Sequence, residues 1–158
     1  MEDIIGLVHE VSGHTYDILY DLYFTTDRVI AVILQNPNEV SNIQSSVGWQ
    51  NLIFGNWINK RKEKVEQDNL YRERRRNLKG KTPEELAVSH PLNIIINYDR
   101  VDLVELRNGF FETQLKFTIL TANGQKRKIP FNLTRQRLNE ARTLLEKAPL
   151  STRIRKYG

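Results

Sequence analysis

RNGFFETQLKFTILTANGQKRKIPF, residues 107–131, holds one alternating segment between two Asn-Gly pairs. Phe111, Thr113, Leu115, Phe117 and Ile119 fall on one face of a period-two pattern, the signature of a half-buried strand. Asn108-Gly109 is the pair that a two-residue type I′ hairpin favours, because both its central positions need positive φ. Asn123-Gly124 supplies a second reversal, into 126–131. With 101–107 as the preceding strand, the segment predicts a three-stranded antiparallel meander.

On the C-terminal side, Thr134 is placed as the N-cap of a helix over about 135–148, with Leu133 stapled against Leu138. Leu138, Ala141, Leu144, Leu145 and Ala148 form its apolar stripe, and Pro149 ends it. The basic residues 151–158 read as a frayed tail.

On the N-terminal side, 92–98 reads as a fourth strand. Thr82-Pro83-Glu84-Glu85 is a capping box with proline at the first helical position, so a short helix precedes Pro91. The chain opens with a β-prone string, 4–11, and a second strand, 17–25, carrying Ile18, Tyr20, Leu22 and Phe24 on one face. The bend Thr25-Thr26-Asp27-Arg28 lacks glycine, but aspartate tolerates the left-handed and bridge conformations of a tight turn. Residues 29–34 are apolar on both faces, as a fully buried strand should be.

Between these halves lies a loop, 35–46, and then a helical reading of 48–81 stopped by Gly80. One domain of 158 residues therefore combines strands at about 4–34 and 92–132, an insert at about 47–90 and a closing helix. The expected class is α+β, mainly antiparallel β: seven strands curled into a sandwich or half-open barrel, capped by the C-terminal helix.

Tyr23-Phe24-Thr25-Thr26-Asp27-Arg28-Val29-Ile30 resembles the strand-turn-strand hairpin of pleckstrin-homology-like (PH/GRAM-like) domains of prokaryotic type. Tyr98-Asp99-Arg100-Val101, linking two strands, and the closing helix extend the likeness over about 4–34 and 92–148. The resemblance implies a binding module or scaffold, because this superfold hosts lipid binders, peptide binders and plain scaffolds. Relatives that grip phosphoinositides do so with bases around the first hairpin. Here residues 10–17 contain no Lys or Arg, which argues against that pocket.

The net charge of +5 is uneven. Residues 1–59 carry one base against seven acids, whereas 60–81 carry ten bases against four acids. Lys60, Arg61, Lys62, Lys64, Arg72, Arg74, Arg75, Arg76, Lys79 and Lys81 form a candidate patch for an anionic partner. Immediately before them, Trp49, Phe54 and Trp57 form a candidate apolar contact. Aromatics beside bases suit an anionic membrane surface, with each base worth ~1 kcal/mol near charged lipid. The same face docked on the strands would be ordinary core. A protein partner or a second copy is a further reading, and nucleic acid tracked by the basic helix is the alternative.

Chemistry for catalysis is not visible. His9, His14 and His90 have no ligand spacing, and no cysteine exists for a disulfide or thiolate site. Gly80-Lys81-Thr82 matches the end of a phosphate-binding loop, but Arg75 stands where that loop needs its first glycine. The acid pairs Asp17/Asp21, Asp99/Asp102 and Glu84/Glu85 fit strand, turn and helix-start surfaces. No nucleophile, base and oxyanion donor assemble, so the expectation is a non-enzyme without cofactor or small-molecule substrate. No secretion signal and no apolar run of roughly 18 residues is present, so the expected location is cytoplasmic, at a membrane periphery if lipid is the partner.

Overall fold

The computed structural model describes residues 1–13, 18–36 and 68–157. Its strands are β1 (Ile4–Ser12), β2 (Leu19–Thr25), β3 (Arg28–Gln35), β4 (Ile94–Asn97), β5 (Val101–Asn108), β6 (Thr113–Leu120), β7 (Lys126–Asn132) and β8 (Ile154–Tyr157). Helix α1 covers residues 68–78 of the described chain, α2 is Pro83–Val88 and α3 is Arg135–Lys147. The fold is α+β, built on one eight-stranded sheet in the order β4-β3-β2-β1-β7-β6-β5-β8.

Every neighbouring pair is antiparallel except β5 and β8, which run parallel. This corrects two expectations: the strands number eight rather than seven among the described residues, and the C-terminal segment is a strand, not a frayed tail. Leu150 anchors it by full burial. Arg153 then donates to the carbonyls of Tyr98, at 3.0 Å, and Val101, at 2.7 Å, which delivers Ile154 alongside Val104.

The two halves of the sheet meet through one residue pair, Ser12 with Asn132. Both halves contribute to one core, including Leu22, Phe24, Phe117 and Phe131. Helix α3 covers this core with Leu138, Ala141 and Leu145, and Thr134 caps it by accepting from the Arg137 N–H at 3.3 Å. Both the cap and the stripe match the sequence reading.

The β2–β3 turn needs no left-handed residue. Neither Thr26 nor Asp27 has a positive φ. Instead the Thr25 hydroxyl accepts from the N–H groups of Asp27 and Arg28, at 3.2 and 3.0 Å, and donates to Glu2 at 2.6 Å. Glu2 is in turn held bidentately by Arg28, at 2.9 and 3.0 Å. Burial pushes the Glu2 carboxyl up, but the hydrogen bonds from Arg28 and Thr25 outweigh it and hold the group below its ordinary value.

The two Asn-Gly sites diverge. Gly124 adopts φ +76° and closes a loop in which its N–H reaches the Thr121 carbonyl at 2.9 Å. Gly109 is not left-handed, so the expected type I′ turn at Asn108-Gly109 does not form. Strand β5 runs on through Asn108, and the reversal spans 109–112, closed by the Gly109 N–H on the Glu112 carbonyl at 2.9 Å. Phe111 therefore leaves the strand face assigned to it and stands in the turn.

Strand β3 is buried on both faces, as its composition predicts. Val29, Ala31 and Ile33 face the main core, while Ile30, Val32 and Leu34 pack under Leu78 of α1 and Leu86 of α2. Asn93 ties the end of α2 to this strand: its carbonyl oxygen accepts from the Ile33 N–H at 2.9 Å, and its amide donates to the Leu86 carbonyl at 3.0 Å. The capping box expected at Thr82 is present, with both hydrogen bonds formed.

Candidate anionic-surface interface

Helix α1 carries six of the ten candidate bases or leads directly to them, and its docking divides them. Tyr71, Arg75 and Leu78 sit at i, i+4 and i+7, so they share the face turned to the sheet. Arg72, Arg76 and Lys79 have the same spacing one position on and are exposed. Arg74 lies between the faces and donates to the Leu34 carbonyl at 3.2 Å. Lys81 is half-buried, at the wall of a cavity of about 130 Å³ that it shares with Val32, Arg74, Asn77 and His90.

The inward face meets a polar junction that composition alone did not reveal. Strand β1 bulges between Val8 and Val11, and Glu10 takes a left-handed φ of 53°. The bulge aims the Glu10 N–H at the carboxylate of Asp21 on β2, 2.9 Å away. Asp21 is 1% exposed, so its charge needs a partner. Arg75 supplies one, with Nη2 at 3.4 Å from both carboxylate oxygens. The same nitrogen lies 3.2 Å from His9 Nδ1 and 3.7 Å from Glu10 Oε1.

Tyr71 donates to Glu10, and the Arg75 guanidinium sits 5.0 Å from the Tyr71 ring centroid. Burial and that hydrogen bond push the Tyr71 hydroxyl up to about 12. Burial also raises Tyr23, with the Asp21 charge adding to it. From α3, Arg137 donates to the His9 carbonyl and approaches Glu10 Oε2 at 3.7 Å. Two acids thus face two arginines, and the charges of Arg75 and Arg137 are spent on holding α1 and α3 to the bulge.

The split leaves the patch smaller than the sequence run. Among the described residues, Arg72, Arg76 and Lys79 are exposed beside the exposed acids Asp68 and Glu73, whereas Arg75 turns inward, Arg74 reaches the Leu34 carbonyl and Lys81 is half-buried. Lys60, Arg61, Lys62 and Lys64, together with Trp49, Phe54 and Trp57, lie outside the described residues. Sequence reasoning missed His9, Glu10, Asp21 and Tyr71 as a group. The available signal was the phase of α1, since Tyr71 and Leu78 fix which arginine must share their face.

Among the described residues, no group of three His, Asp or Glu side chains could hold a metal ion. None of the described helices is long and apolar enough to cross a membrane. No family model matches the chain, and no curated protein or solved structure matches it either.

Proposed function

We propose that the chain is a non-enzymatic binding module of pleckstrin-homology-like kind that docks on an anionic membrane surface through α1 and the bases preceding it. The observation that carries this reading is the outward stripe Arg72, Arg76 and Lys79, on a helix whose opposite face is clamped by Asp21 and Glu10. A clamped helix holds the backbone of these residues in fixed array, so docking need not order the helix, and only the side chains lose freedom. The likeness itself rests on the order of elements: three strands, a helical stretch, further antiparallel strands and a closing helix. The parallel β8 is an addition to that plan.

Co-sedimentation with phosphatidylcholine vesicles, with and without phosphatidylserine, tests the reading. Binding is expected only with the acidic lipid, weakening as salt rises. Replacing Arg72, Arg76 and Lys79 by Glu should weaken it sharply, while the melting temperature stays near that of the parent because all three are exposed. No binding at low salt removes the proposal. The nucleic-acid alternative uses the same stripe and is read in parallel, as a steeply salt-dependent gel shift with generic RNA or DNA.

A further inference from the structure

Phe110 and Phe111, in the 109–112 turn, are 88% and 96% exposed. Their rings meet edge to face, with centroids 4.9 Å apart, so they pack on each other. The turn beneath them is tight: a Cβ on Gly109 would stand 2.7 Å from the Glu112 carbonyl oxygen. Two residues before Phe110, Asn108 lines a cavity of about 110 Å³ with Leu106, Leu138, Arg142, Lys156 and Tyr157. Arg142 and Lys156 give it a basic rim over an apolar floor. Arg107 adds a guanidinium 5.7 Å from the Tyr157 ring, and Arg155 follows on β8. The acids nearby include Glu112 in the turn, Glu146, which lies 3.7 Å from Lys156, and Glu105, which stands in register with Arg155.

We propose that this turn is a finger that inserts into an anionic lipid surface, with the adjoining Arg142/Lys156 cavity receiving a headgroup phosphate. The inference rests on the membrane reading above for its class of partner, but its site is separate from α1. A second copy of the chain is a poorer occupant. Two Phe side chains offer roughly 300–500 Å² of surface, below the roughly 800 Å² per partner of a stable interface. A convex aromatic pair also suits a fluid apolar medium, which closes around it, and the surrounding bases favour acidic headgroups.

The test uses the full chain and the same two kinds of vesicle. Phe110→Ser with Phe111→Ser should lower partition into phosphatidylserine-containing vesicles at least about tenfold, with no change in melting temperature. Arg142→Glu with Lys156→Glu should weaken the preference for acidic lipid without removing it, because α1 keeps its own bases. In Phe111→Trp, brominated lipid should quench emission beyond the level seen for the parent, whose own tryptophans serve as the control. If the α1 triple variant loses binding while the double Phe variant partitions like the parent, the proposed function stands and the finger is overturned. Quenching in Phe111→Trp no greater than in the parent overturns it too, as does a double Phe variant that alters self-association and leaves vesicle binding intact. Failure of the parent to bind any vesicle removes both proposals together.

Discussion

The guanidinium of Arg75 lies 3.4 Å from each carboxylate oxygen of Asp21, joining α1 to the middle of β2. Asp21 is almost fully buried, so removing Arg75 strands its charge, while removing the Asp21 charge leaves a part-exposed Arg75 with Glu10. Asp21→Asn, which keeps an acceptor for the Glu10 N–H, should cost about 2–4 kcal/mol in urea unfolding. Arg75→Gln should cost a similar amount, and the double variant clearly less than the two together. Strict additivity would show that the pair does not couple and that α1 is held by its other contacts.

Glu2 predicts an acid-sensitive contribution. Its folded carboxyl titrates below the ordinary value of 4.5. A depressed carboxylate adds stability that is complete above its unfolded value and disappears as pH falls through the folded one. Glu2→Gln should therefore cost about 1–3 kcal/mol at neutral pH, and the gap to the parent should close in the acid range below 4.5. A gap that is constant with pH would assign the loss to packing.

Gly6 marks a close approach of α3 to β1. A Cβ there would stand 2.4 Å from Leu144 Cδ2. Gly6→Ala should cost about 1–3 kcal/mol by overpacking. Because the obstructing atom ends a half-buried, mobile side chain, Leu144→Ala in the same background should cost less than it does alone. Thermal unfolding of the four proteins measures this, and equal costs in both backgrounds would place the strain elsewhere.

Arg153 carries the entry to β8. Its donation to the Tyr98 and Val101 carbonyls leads us to expect that Arg153→Ala costs about 1–3 kcal/mol. Amide exchange along β5, where β8 lies beside Val104 to Arg107, should accelerate in the same variant. Unchanged protection there would mean that β8 holds without the arginine.

Local patterns were readable and long-range pairings were not. The alternation of Leu115 and Phe117, the cap at Thr134 and the two-faced β3 follow from period and composition, which act over a few residues. Residues 154–157 are short, basic and preceded by proline, and only their partner, β5, makes them a strand. The Phe110-Phe111 turn was misplaced because Asn108-Gly109 was given positive φ, whereas the Glu112 carbonyl closes a longer loop. In the candidate site the basic run was legible as charge. The phase of α1 marks Arg75 as the inward base, but its acid partners were not legible, because they lie on β1 and β2, brought together by a bulge no local pattern encodes.

Strand β3 sets a condition on any ligand of this protein. Ile30, Val32 and Leu34 would lose the cover of Leu78 and keep only Leu86 of α2 over them if α1 were peeled away, opening an apolar patch on the sheet. A partner gripping the basic stripe must therefore land on the helix as it lies. Docking that lifted the helix would have to offset the loss of that apolar cover, whereas docking on its outer face leaves the sheet sealed.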